Sequence, residues 1–155
     1  MTYYNAISRG YDELYKEEQL EKIKLIDGYV KKGDRLLDVG CGTGIVGEYF
    51  KDRCDVLGID NSRDMLKKAG IKTVLGNAEV LPFEDKNFDA VISLTTLQNF
   101  NDIEKAIKEM ERVCKRTLIV SMIKKSTKLN KARKLLKDYK EIAQEKDIIW
   151  IKNFN

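Results

Sequence analysis

The chain has no histidine at all, one proline (Pro82) and three cysteines among 155 residues. Without histidine, the side chain that most often moves protons near neutral pH is missing. Any base must then be a carboxylate, a tyrosine or a lysine. Cys41, Cys54 and Cys114 are odd in number and form no CxxC pair, which argues against a disulfide framework and against a zinc site. No apolar run approaches the roughly 18 residues that span a membrane. The N-terminal MTYYNAISRGYDELYKEE has no continuous apolar core, so it is not expected to be a secretion signal, and the expected compartment is the cytoplasm.

What is present describes a globular chain. Apolar residues make up 43% and charged residues 35%, enough apolar surface for one sizeable core. No repeat, linker or low-complexity tract divides the sequence. One domain over residues 1–155 is expected, with 1–33 as a covering helix and 34–155 as an α/β core. The net charge of +4 is uneven: from Lys124 to Lys140 there are eight basic residues and one acid.

The hydrophobic pattern alternates between strands and helices. Residues 11–31 carry a broken helical stripe, stopped by Gly33. Strands are expected at 35–39, 55–59, 72–75, 88–93, 117–122 and 148–151. Helices are expected at 45–51, from Asn61 or Ser62 to Ala69, and after Asn101 or Asp102. A long helix over 129–143 is expected from the stripe Leu129, Ala132, Leu135, Leu136, Tyr139, Ile142 and Ala143. Strands joined by helix-length crossovers pair in parallel, and almost wholly apolar strands are covered on both faces. The expected fold is a Rossmann-like, doubly wound, mostly parallel sheet with helices on both faces. It has six strands, or seven if another lies beyond the chain. The bare C-terminal edge of a six-strand sheet would allow a homodimer.

The stretch LLDVGCGTG, Leu36 to Gly44, ends the first strand in an acid and three glycines. Glycine permits positive φ and close backbone approach. A P-loop, GxxxxGK[ST], is not present. A dinucleotide turn, GxGxxG, would need glycine where Ile45 stands, which disfavours a nicotinamide cofactor. S-adenosylmethionine is the third candidate. Asp38 could meet its ammonium, and backbone N–H groups of the turn its carboxylate. Asp60, ending the second strand, could accept both ribose hydroxyls.

LLDVGCGTG, the acid in LGID and NAEVLPFEDKNFDAVIS resemble the class I S-adenosylmethionine-dependent methyltransferases over about residues 34–122. They are most similar to the "methyltransferase type 11" subgroup, which includes the ubiquinone and menaquinone biosynthesis methyltransferases. The resemblance implies S-adenosyl-L-methionine as cofactor and S-adenosyl-L-homocysteine as product. It places the methionine portion on Asp38, Gly40, Cys41, Gly42 and Gly44, and the ribose on Asp60. It places the adenine side on Asn61, Ser62 and Met65 and on Asn77, Ala78 and Glu79, with Asn77 where the family usually has aspartate. Ser93, Leu94 and Leu97 would line the cofactor, and Tyr11 would touch its tail. Asp89 resembles a structural acid. Gln98 and Asn99 replace two histidines that often follow strand four.

Methyl transfer from a sulfonium has a neutral leaving group and needs no acid. Alignment and desolvation can supply most of the catalysis, so no catalytic residue is assigned. Glu13, Glu17 and Glu18 are candidate bases only by their place on the covering helix. The expected acceptor is a small molecule. The alternatives are RNA bound through the Lys124–Lys140 segment, a protein acceptor, or a non-catalytic regulatory subunit. The N-P-P-[YFW] signature of amino-methylating nucleic-acid enzymes is missing. No metal is expected.

Overall fold

The computed structural model describes residues 3–154, with side chains over 12–154. The chain runs α1 (Tyr3–Ile26), β1 (Arg35–Val39), α2 (Ile45–Phe50), β2 (Asp55–Asp60), α3 (Arg63–Leu66), β3 (Thr73–Leu75), β4 (Phe88–Ser93), α4 (Ile103–Val113), β5 (Cys114–Ile123), α5 (Leu129–Leu135), β6 (Lys140–Ala143) and β7 (Asp147–Asn153). The seven strands form one sheet in the order β3-β2-β1-β4-β5-β7-β6. The first five are parallel, and β7 is antiparallel to both β5 and β6.

Alternation along the strands builds a core on each face. Leu36, Ala90, Ile92, Ile119 and Ile149 face Ile23 and Ile26 of α1 and Val46 and Phe50 of α2. Leu37, Val91, Leu118, Val120 and Trp150 face Ile103, Ala106, Ile107 and Met110 of α4 and Ala132 of α5. Both faces are apolar and covered, hence the nearly continuous apolar strands. Asp89 is structural: its Oδ2 accepts the Arg35 N–H at 2.8 Å, tying the start of β4 to β1.

Three expectations need correction. The helix over 11–31 ends at Ile26 and passes into a 3₁₀ turn at Asp27–Tyr29. The helix that Ser62 caps reaches only Leu66 rather than Ala69. The long helix over 129–143 does not form: α5 stops at Leu135, and Lys140–Ala143 is an edge strand hairpinned to β7. The tight turn between them is held by Gln144, whose Oε1 accepts the Lys146 and Asp147 N–H groups. The seventh strand therefore lies within this chain. β7 is interior to the sheet, paired on both sides, so the bare C-terminal edge invoked for a homodimer does not exist.

Candidate active site

Strand order reverses between β1 and β4, and the cleft of an open parallel sheet sits over the carboxyl ends there. The glycine turn leaves β1 at that point. Gly40, Gly42 and Gly44 have φ of 72°, 54° and 86°, conformations that L side chains rarely adopt. The Gly40 and Cys41 N–H groups both donate to the Ile59 carbonyl, at 2.8 and 3.1 Å. The Gly42 N–H donates to Asp60 Oδ2 at 2.8 Å, and the Gly44 N–H to the Cys41 carbonyl. The turn is thus stitched to the end of β2. The N–H groups of Gly40, Cys41, Gly42 and Gly44 are committed within the fold, and Thr43 of the same turn lines the cleft.

A Cβ on Gly40 would lie 3.0 Å from Thr96 Cγ2. Gly40 and Thr96 meet across the cleft and divide it in two. The first compartment, about 520 Å³ and open to solvent, is lined by residues including Asp60, Asn61, Asn77, Ala78, Asn99 and Phe100. The second, about 380 Å³, is lined by residues including Tyr15, Gln19, Asp38, Cys41, Gly42, Met65 and Leu94.

Each compartment carries one acid. Asp38 is buried, and its Oδ2 has no hydrogen-bond partner. Burial, with the negative charge of Asp60 adding to it, pushes its pKa up to about 7, against a smaller opposing effect of the Gly47 backbone N–H. Asp60 is half-buried, and each oxygen accepts a backbone N–H: Oδ1 from Ser62 at 2.9 Å and Oδ2 from Gly42.

Asp38, Gly40, Cys41, Gly42, Met65 and Leu94 therefore come together on one side of the divide, and Gly40, Asp60, Asn61, Asn77 and Ala78 on the other. Gly44, Ser62, Glu79 and Ser93 do not line either compartment. Gly44 begins α2 against Ile71, where a Cβ would sit 3.1 Å from Cγ1. The Ser62 hydroxyl caps α3 by accepting the Met65 N–H. Glu79 Oε1 accepts the Asp102 N–H at the start of α4. The Ser93 hydroxyl is buried and bonded to that of Thr96. Leu97 is buried in the core rather than on the cleft. The Tyr11 side chain lies outside the described residues.

Asn77 Oδ1 accepts the Glu79 N–H at 3.0 Å, so its carbonyl is partly committed within its own turn. Cys41 is buried, and burial pushes its thiol well above the ordinary range; it is a packing group rather than a nucleophile. It also explains Gly58, where a Cβ would fall 2.7 Å from Cys41 Sγ. Glu13 and Glu17 are exposed, and Glu18 pairs with Lys146. None of the three lines the two compartments.

Sequence reasoning missed Thr96, Gln19 and Phe100 as lining residues. Thr96 had no local signal, because its role comes from facing Gly40. Gln19 carried a weak one, a polar residue interrupting an apolar helix stripe. The Lys124–Lys140 segment is partly internal. Lys128 Nζ donates to the Gln98 and Phe100 carbonyls, both at 2.9 Å, and clamps the turn that lines the cleft. Arg133 pairs with Glu141, and Lys140 donates to the Tyr29 hydroxyl. Among the described residues, no helix is long and apolar enough to cross a membrane.

Comparison with known proteins matches this geometry. Residues 37–120, more than half of the chain, fit the family described as a methyltransferase domain. The uncharacterized protein MJ1252 of Methanocaldococcus jannaschii is 39% identical over 119 residues, covering 73% of this chain and 46% of that protein. A demethylmenaquinone methyltransferase of Renibacterium salmoninarum is 43% identical over 89 residues, covering 54% of this chain and 38% of that protein. This chain thus spans less than half the length of these two relatives. The crystal structure of a SAM-dependent methyltransferase from Aquifex aeolicus shares the fold, with a TM-score of 0.68 at 18% identity, covering 89% of this chain and 88% of that one. The chain belongs to the class I S-adenosylmethionine-dependent methyltransferase family, and its cofactor is S-adenosyl-L-methionine.

Proposed function

We propose that this protein transfers a methyl group from S-adenosyl-L-methionine to a small-molecule acceptor in the cytoplasm, releasing S-adenosyl-L-homocysteine. The observation that carries the reading is the unpartnered oxygen of buried Asp38 at the glycine turn, with Asp60 fixed on the adjacent strand. A buried carboxylate left without a donor suits a ligand cation. Asp38 would hold the cofactor's ammonium, in the compartment it shares with Tyr15 and Gln19. Asp60 would accept the ribose hydroxyls, since each of its oxygens keeps a lone pair beyond its one backbone bond. Asn61, Asn77, Ala78 and Phe100 would wall the adenine.

When bound, the cofactor supplies a methyl group on a positively charged sulfur, open to in-line displacement by the acceptor's nucleophile. This chain's residues bind, orient and exclude water. Residues 1–33 serve as cover and 34–155 as core. Neither compartment presents a histidine or an uncommitted glutamate as a base, which favours an acceptor that arrives ionised or already nucleophilic. A small acceptor also suits the partly internal use of the Lys124–Lys140 cations.

The test has two stages. Calorimetry should find S-adenosyl-L-homocysteine binding and no NADH binding; the reverse pattern defeats the reading. Labelled cofactor incubated with fractionated extract should then label a small molecule. Label in RNA or protein would move the assignment to those acceptors. Retained binding with no label anywhere would favour a regulatory subunit.

A further inference from the structure

A buried polar cluster adjoins the Asp38 compartment and has no part in the chemistry described so far. Lys22 of α1 is 2% exposed and Asp147 of β7 is 0% exposed, yet both are charged residues, and Nζ lies 3.1 Å from Asp147 Oδ1. Asp147 pairs in register with Ile123, so it sits at the carboxyl end of β5, on the rim that carries the cleft. A buried ion pair often adds little net stability against apolar residues of the same shape. Its presence there asks for another role.

The cluster converges on Thr95, the second residue after β4. The Thr95 hydroxyl accepts from Lys22 Nζ at 3.0 Å and lies 2.7 Å from Asp147 Oδ2 and 3.1 Å from Gln19 Oε1; its single proton can go to either. The Thr95 N–H donates to Ser121 Oγ at 2.6 Å, and that hydroxyl donates to Asp147 Oδ2 at 2.8 Å. The Thr95 carbonyl accepts from Gln98 Nε2 at 2.7 Å. Every polar group of this residue is held. Its φ is +59°, an outlier for a β-branched side chain, and such strain persists only where the surroundings over-determine it.

Two consequences reach the cleft. The next residue, Thr96, is the wall that meets Gly40 and divides the two compartments. On the other side of the cluster, Gln19 and its hydrogen-bond partner Tyr15 line the Asp38 compartment. The cluster therefore joins the covering helix to the dividing turn through buried side chains of β5 and β7.

We propose that the Lys22–Asp147 pair, acting through Thr95, is a positioning device that registers the covering helix α1 and the 95–100 turn across the cofactor cleft. This rests on the methyltransferase reading for the identity of the ligand, but not for the coupling of helix to turn. Lys22, Asp147 and Thr95 are positioning residues; none of them lines either compartment.

The test uses the full chain and variants that keep shape while removing charge or the hydroxyl. Lys22→Met with Asp147→Asn leaves no unpaired buried charge and keeps acceptors for Ser121 and Thr95. Thr95→Val keeps the volume and the branching. Thr95→Ser keeps the hydroxyl and serves as the rescue. Hydrogen exchange of the ligand-free proteins should show lost protection confined to residues 95–100 in the double variant and in Thr95→Val, with melting temperatures near that of the parent and protection retained in Thr95→Ser. Calorimetry with S-adenosyl-L-homocysteine should show affinity about tenfold weaker in the first two variants and close to the parent in the third. Unchanged exchange at 95–100 in both the double variant and Thr95→Val overturns the proposal. So does a loss of protection spread evenly over the chain, which would mark a structural role alone. A parent that fails to bind S-adenosyl-L-homocysteine defeats the methyltransferase reading, while the exchange data still judge the positioning device.

Discussion

Asp38 and Asp60 lie at the ends of neighbouring parallel strands, two residues out of register, and face the same cleft. Their states differ. Asp60 is half-buried, with a backbone N–H on each oxygen. Asp38 is buried, one oxygen has no partner, and its pKa is pushed up to about 7. The chain has satisfied Asp60 in advance and left one oxygen of Asp38 unsatisfied. An acid bonded by its own backbone is part of the scaffold and can accept further hydroxyls. One that is buried with no partner in the protein has unmet demand for a donor, which a ligand cation or a proton would meet.

The largest expected effect of breaking this comparison is at Asp38. Asp38→Asn should weaken S-adenosyl-L-homocysteine binding by about a hundred-fold, the scale of losing one partner of a buried charge pair. It should leave the ligand-free melting temperature unchanged or raised, because a desolvated charge is removed. A fall in both would mean that Asp38 is ordinary scaffold. Asp60→Ala should weaken the same ligand by about 1–3 kcal/mol, and unlike Asp38→Asn it should also lower the melting temperature, since the Gly42 and Ser62 N–H groups lose their acceptor. Unchanged affinity would place the ribose elsewhere. The smallest effect is expected at Glu79, whose carboxylate serves the start of α4 rather than the cleft. Glu79→Ala should cost about 1 kcal/mol in denaturant unfolding, as for a lost cap, with no change in ligand affinity; a change in affinity would return Glu79 to the site.

The same contrast between local and distant causes governs what could be read from the sequence. β1, β2 and β4 were legible because doubly covered strands are continuous apolar runs, and the glycine turn because its composition is local. β6 was not legible. Of its four residues, Lys140, Glu141 and Ala143 are exposed and Ile142 is half-buried, so it carries no strand alternation. Ile142 and Ala143 also continue a helical stripe from Leu129. What makes the segment a strand is its partner Ile148–Ile151, reached through a turn that Gln144 closes. At the site, Asp38 and Asp60 were readable from their positions at strand ends. Thr96 and Gln19 were not, since they act only by facing residues distant in the chain. Glu79 and Ser93 matched a pattern of positions, but their side chains turned to hydrogen bonds within the fold.

The sign of the pH effect follows from Asp38. Its folded pKa, about 7, lies above the ordinary 3.8. Between those values the folded chain holds a proton that the unfolded chain has lost, so its contribution to ligand-free stability declines as pH rises from about 4 to 7 and is level above. Affinity for a ligand bearing an ammonium moves the other way, because only the carboxylate form attracts it. Titration of the protein with S-adenosyl-L-homocysteine by calorimetry from pH 5.5 to pH 8.5, beside Asp38→Asn, measures this directly. Affinity should rise roughly tenfold per pH unit up to about pH 7 and then level off, while the variant binds weakly at every pH. Parent affinity that ignores pH, or a variant that binds as well as the parent, would contradict the account.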